Sequence, residues 1–225
     1  MITSEMSTEP ASTDPRPVRR RRNGLRTRAE IVAAAERHFA ENGYEATRVE
    51  DIAREVGIRR AGVFYHFGDK AGLYTAMLEE LFADLEAPLP ATGTATERLE
   101  SALTGWIDLV AKRPSIARLM LREAANAQPG KVTPFIRAGR GLGDWFRAVI
   151  AEGVASGELR MRIEPYRFLS LMAGTTIFHF AAIPWLTLDE PVDPRGLDEL
   201  EKHKQEILLV ARGLLGIDAP AHHGT

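Results

Sequence analysis

The chain of 225 residues contains no cysteine. Disulfides and thiolate metal ligation are thereby excluded, and the sequence fits a reducing compartment such as the cytoplasm. It also lacks a long apolar run. The richest one, residues 177–186, is interrupted by His179 and Pro184 and falls far short of the ~20 residues needed to cross a bilayer. Residues 1–17 are polar and proline-bearing, without the apolar centre of a secretory signal, so a soluble cytoplasmic protein with no membrane association is expected. No strand-like alternation of useful length and no internal repeat is present. Enzyme signatures are missing as well: there is no Gly-x-Ser-x-Gly turn, no His-Glu-x-x-His pair and no phosphate-cradling glycine loop. His222-His223 sits in a loose Gly/Ala/Pro tail, too unconstrained for a metal site. No enzyme activity, cofactor or metal is expected.

Hydrophobic residues make up 44 % of the chain, enough to bury a substantial core. The formal net charge is −2, but the charge is unevenly placed. Arg16, Arg19, Arg20, Arg21, Arg22, Arg26 and Arg28 follow one another with no acid among them. A basic arm on an acidic body suits a polyanion partner at one end only. A solvated basic tail with no partner fits the same composition.

Residues 1–24 read as a disordered arm and residues 217–225 as a disordered tail. From Leu25 the text turns helical. A first helix over 27–42 carries Ile31, Ala34, Ala35 and Phe39 at helical spacing and stops at Gly43. Thr47-Arg48-Val49-Glu50 has the form of a capping box, predicting that Thr47 caps a second helix running to Val56. Gly57 ends that helix. A third, short helix starts at Arg59 or Arg60, and Asp69 caps a fourth with Leu73, Met77, Leu81 and Leu85 on one face. Residues 88–96 form a linker. Five further helices are expected over about 97–112, 115–127, 133–156, 165–183 and 197–215. The domains expected are therefore 25–70, a connecting helix 71–87, and a second helical domain 97–216.

Two short helices around a glycine turn, the second opening with Arg59-Arg60-Ala61-Gly62, make a helix-turn-helix. Arginine is the side chain best matched to guanine O6 and N7, and small neighbours let the backbone lie close to a duplex. Tyr65, His66 and Lys70 follow where phosphates would be reached. Ile31, Phe39, Val49, Ile52, Val56, Val63 and Phe67 read as core, and His38 as a packed helix-end histidine.

Thr27-Arg28-x-x-Ile31, Ala34-Ala35, Phe39, Gly43-Tyr44, Thr47, Ile52-Ala53, Gly57-Ile58, Phe64-Tyr65-His66-Phe67, Lys70 and Leu73 together resemble the TetR family of bacterial repressors. The resemblance implies an all-α homodimer with an N-terminal helix-turn-helix domain and a C-terminal domain that binds a small effector and dimerises. It assigns DNA contacts to Thr47, Arg48, Arg59, Arg60, Ala61, Gly62, Tyr65, His66 and Lys70, and Arg26 and Arg28 join them from the basic arm. Arg59, Gly62 and Phe64 depart from the family's usual residues. Each of the two arginines is open to base or phosphate contact.

The expected partners are double-stranded DNA with a near-palindromic operator, a second copy of the chain, and a small hydrophobic or aromatic effector. Trp106, Met120, Trp145, Phe178 and His179 are the candidate effector-binding residues. The last two helices carry broad apolar stripes. Phe168, Leu171, Met172, Thr175 and Phe178 lie on one, and Ile207, Val210, Ala211 and Leu214 on the other. These stripes suit either a dimeric four-helix bundle or the intrachain core.

Overall fold

A computed structural model describes residues 16–189 and 191–217, with the side chains of 16–25 and 184 left aside. The tail 218–225 and the arm before residue 16 lie outside the described residues. Among the described residues the chain is all α, with ten helices and no strand.

Helix α1 (Arg16–Ala46) begins well before the expected start at residue 27. The backbone of residues 16–24, which hold every arginine of the expected disordered arm, is therefore helical. Arginine is a good helix former, and Pro17 in the first turn removes an amide that would have no partner there. At Gly43 the backbone leaves helical geometry (φ 78°). The chain then folds back, stacking Tyr44 on Phe39 and setting it edge-on to Tyr74.

Helix α2 (Val49–Val56) is closed by Gly57 at φ 73°, and the Ile58 amide reaches back to the Ala53 carbonyl at 2.9 Å. That closure requires a left-handed residue, which glycine adopts without strain. Helix α3 (Arg60–Phe67) ends at Gly68. Asp69 then caps α4 (Lys70–Glu86), accepting from the Gly72 amide at 2.7 Å as its position predicts.

The capping box expected at Thr47 does not form. Thr47 is 3 % exposed, and its hydroxyl donates to the carbonyls of Gly43 (2.7 Å) and His38 (3.0 Å). The turn at Gly43 leaves carbonyls in reach, so the hydroxyl closes the end of α1 and Arg48 occupies the cap of α2. A complete capping box stands instead at Thr94 and Glu97, opening α5 (Ala95–Lys112) two residues earlier than expected.

The remaining helices are α6 (Ser115–Asn126), α7 (Pro134–Ala138), α8 (Arg140–Ala155), α9 (Pro165–Leu186) and α10 (Leu197–Leu215). The single helix expected over 133–156 is broken at Gly139. A Cβ there would lie 2.7 Å from the Phe82 ring, so the glycine allows α4 to approach. Helix α9 continues through Pro184, whose missing amide affects only the last turn.

Two cores organise these helices. One joins α1 to α4 with Ile116, Ala117 and Leu119 of α6, and the other joins α5, α8, α9 and α10. The N-terminal core thus runs across the expected linker into α6. Polar latches reinforce that crossing. Buried Glu36 of α1 accepts from Arg113 and Ser115, and Arg113 also pairs with Asp84 of α4. Arg122 of α6 donates to the carbonyls of Ala40 (2.9 Å) and Glu41 (2.5 Å), and Tyr74 donates to Glu123. Burial works against the Arg113 charge, yet its hydrogen bonds to Glu36 and then Asp84 hold its pKa above the ordinary arginine value.

Candidate nucleic-acid interface and effector cavity

The end of the molecule formed by α2 and α3 presents its cations on a fixed support. Val49, Ile52, Ala53 and Val63 are buried beneath, so the outward faces of α2 and α3 have one orientation. Arg59 sits at the cap of α3 and Arg48 at the cap of α2. Both are exposed, and neither has a side-chain partner among the described residues. Arg60 is exposed, pairs with Glu50 at 2.8 Å and lies over the Phe64 ring. An ion pair this exposed is worth under about 1 kcal/mol and exchanges readily for another anion. Ala61 is exposed and Gly62 half-buried, with Ile58 the nearest neighbour to a Cβ at Gly62. Tyr65 is 86 % exposed, with half-buried His66 edge-on to it.

The other predicted DNA contacts divide. Thr47 is the clear correction: it is buried, and its hydroxyl is committed to α1. Lys70 donates to the Glu45 carbonyl at 3.1 Å and sits over Tyr44, bracing the turn after α1. Arg28 pairs with Glu80 and covers the Phe67 ring, tying α1 to α3 and α4. Arg26 is exposed and pairs with Glu30 one turn on. His38 is half-buried and shares Glu55 with Arg37. Their hydrogen bonds, chiefly that from Arg37, hold the Glu55 carboxyl below its ordinary pKa.

The second site is a cavity of about 480 Å³ in the larger helical part. Phe82 and Leu85 of α4, Trp106 of α5, Met120 of α6, Phe146 of α8 and Met172 of α9 supply its apolar walls. Its polar edge holds Asp84, tied to Arg113; Asp108, tied to Lys204 at 2.7 Å; and Lys112, which has no partner among the described residues. The Trp106 indole N–H is buried without an acceptor among the described residues. A cavity of this size with few polar groups suits a small apolar molecule.

Of the five predicted effector residues, Trp106 and Met120 line this cavity. Trp145, Phe178 and His179 do not. Trp145 packs edge-on to Phe146 under the Arg98 guanidinium. Phe178 is 54 % exposed on the outer face of α9, well around the helix from Met172. His179 stacks on His203 of α10 at 3.9 Å, nearly two turns along α9 from Ala173, the last residue of that helix on the cavity. Phe82, Phe146 and Met172 carry more of the wall, and nothing in their helical spacing marks them as lining a cavity.

Residues 31–77 match the model described as bacterial regulatory proteins of the tetR family, and residues 92–177 match the Tetracyclin repressor-like C-terminal domain. The chain belongs to the TetR family. Among curated TetR-type relatives, the HTH-type transcriptional regulator TtgR of Pseudomonas putida is 44 % identical over 55 residues, which is 24 % of this chain and 26 % of that protein. The chain thus spans about a quarter of the length of the first curated relatives it matches. RutR of Escherichia coli is 29 % identical over 65 % of this chain and 70 % of its own. The solved structure of the regulator SCO4942 from Streptomyces coelicolor superposes with a TM-score of 0.64 at 21 % identity, over 85 % of this chain and 99 % of that one. That of FadR from Bacillus subtilis in complex with stearoyl-CoA gives 0.63 at 20 %, over 84 % and 99 %. At those identities the likeness is one of fold.

Proposed function

We propose that this protein is a homodimeric DNA-binding regulator, a repressor released from a near-palindromic operator when a small apolar effector enters the cavity. The observation that carries this reading is the span of α4. At one end Asp69 and Leu73 anchor it to the helix-turn-helix, and at the other Phe82 and Leu85 wall the cavity.

Arg59 and Arg60 at the start of α3 would read bases in the major groove, with Arg48 and Tyr65 on the flanking phosphates. Arg28 and Lys70 would act mainly by bracing the unit, and Arg16 and Arg19 to Arg22 of the basic arm would add phosphate contacts. The second copy would cover the outer faces of α9 and α10. There Leu171, Phe178, Trp185, Leu209 and Val210 are exposed, and Gly174 and Gly213 leave open space for close helix approach. An effector that prefers one setting of α4 shifts the separation of the two reading helices.

Selection of bound duplexes from a random oligonucleotide pool tests the reading. Enrichment of a palindrome whose half-sites lie about one helical turn apart is expected. Recovery of no preferred sequence overturns it.

A further inference from the structure

The cavity does not end at its inner wall. Its lining on α8 is Leu142, Gly143 and Phe146, and a second, open groove continues along that helix with Arg147, Ile150, Ala151 and Val154. These positions follow one another at three- and four-residue spacing, so they form one continuous face. Leu169 of α9 lines both spaces and is the side chain between them. Helix α5 packs against both α8 and α9, while α8 and α9 are at most lightly packed on each other. From Leu142 to Ala155 the seam runs about 20 Å along the helix axis, at about 1.5 Å per residue.

The two spaces differ in charge. The inner one is apolar except at its α4–α5 edge, where both carboxylates are already paired. The outer one carries Arg147, Arg162 and Arg167 against one acid, Glu164. Arg147 is held by Asp144. Arg162 and Arg167 are exposed and have no acidic partner among the described residues, and Arg167 lies against the Tyr166 ring at 5.5 Å. An apolar chamber opening past one leucine onto unpaired guanidinium groups is complementary to a long amphiphile with an anionic head.

We infer that the effector is a linear acyl chain with an anionic head group, its tail in the inner chamber and its head at Arg162 and Arg167. This rests on the cavity being the effector site and adds the ligand's chemistry and direction. The head is either a carboxylate or the phosphates of an acyl thioester of coenzyme A, since both offer what guanidinium groups bind.

The test uses the full-length protein and titrates dodecanoate, dodecanoyl-CoA, coenzyme A alone and uncharged dodecan-1-ol, read by calorimetry. At least one of the two acyl anions is expected to bind about tenfold or more tightly than dodecanol, and coenzyme A alone only weakly. Which anion binds more tightly identifies the head. The double variant R162A/R167A is expected to lose that preference while keeping its affinity for dodecanol, and K112A to keep the preference. Leu169→Trp, which narrows the passage, is expected to weaken the acyl anions at least tenfold with the melting temperature held.

Equal affinities for the anions and dodecanol in the unaltered protein overturn the inference, as does binding of none of them. Loss of the preference in K112A but not in R162A/R167A would put the head at the α4–α5 edge and overturns it too. In each of those cases selective operator binding would persist, so the regulator reading would stand while the assigned ligand failed.

Discussion

The reading end of the molecule works by what it presents, and the larger helical part by what it leaves unfilled. Around α2 and α3 nearly every apolar side chain is packed, and the functional groups stand outside that packing. Between α4, α5, α6, α8 and α9 the packing itself is incomplete, and the site is the omitted volume. The first kind of site tolerates change beneath it poorly and is lost by trimming exposed side chains. The second is lost by adding atoms.

The largest effect should come from removing the presented groups. Arg59→Ala with Arg60→Ala is expected to weaken operator binding by about 4 kcal/mol, roughly a thousandfold, since each lost base contact costs about 1–3 kcal/mol. Arg59 makes no side-chain cap bond and the Arg60–Glu50 pair is exposed, so the melting temperature should hardly move. Electrophoretic or anisotropy titration against operator and scrambled duplex separates the two readings of these arginines. An equal loss on both duplexes would make them phosphate contacts, and the contrast between the two regions would weaken.

This contrast also explains what the sequence disclosed. Packed positions repeat with the helical period, so Ile31, Phe39, Ile52 and Val63 were legible as core, and the positions left over at the start of α3 were legible as presented. Thr47 was misread because the same hydroxyl serves equally well to cap the helix after it or to close the helix before it. Only the turn at Gly43, which brings the His38 and Gly43 carbonyls into reach, decides between them. The cavity was not legible. Phe146 and Met172 have the same periodicity whether the space beside them is filled or empty, and an unfilled volume is a property of five helices together. Phe178 and His179 were misplaced for a related reason: a helix buried on one side and apolar on both carries no mark of which side turns inward.

The joint between the two regions should show the next largest effect. Glu36 is 6 % exposed and holds Arg113 and Ser115. Glu36→Ala leaves a partly buried guanidinium short of its main partner, and a loss of about 3 kcal/mol in stability is expected from urea midpoints. Asp51→Ala, which removes the exposed pair with Arg54, should leave the midpoint unmoved. If the two variants behave alike, the joint is no firmer than the surface.

A smaller effect belongs to the α9–α10 contact. Burial, and after it the charge of His179, lowers the pKa of His203 to about 4, and burial lowers that of His179 as well. The unfolded chain has histidines near 6.5, so below that pH it takes up protons that the folded chain does not. Stability is then fully present above pH 6.5 and falls as the pH drops toward 4, by about 2 kcal/mol between pH 7 and pH 5 for His203. Glu199 and Glu206 act in the opposite sense on His179, and Thr176 lies 3.4 Å from the His203 ring nitrogen. His203→Gln should flatten the fall in melting temperature over that range. An unchanged slope would assign the pH dependence to other groups.

The smallest change in stability should carry the sharpest change in function. Gly143 lies on the cavity wall near the start of α8, and a Cβ there meets nothing nearer than the far end of Arg147, at 3.5 Å. Gly143→Leu fills volume and removes a helix glycine, so a gain of about 1 kcal/mol and a rise of about 2–4 °C are expected. Operator affinity should be unchanged, because α2 and α3 do not sense that position directly. Release should be lost: a compound that frees the unaltered protein from its operator should leave this variant bound at the same concentration. A variant that is more stable and binds operator normally, yet is still released, would place the effector elsewhere. The region defined by its unfilled volume would then be a packing defect, and the reading helices would need another source of control.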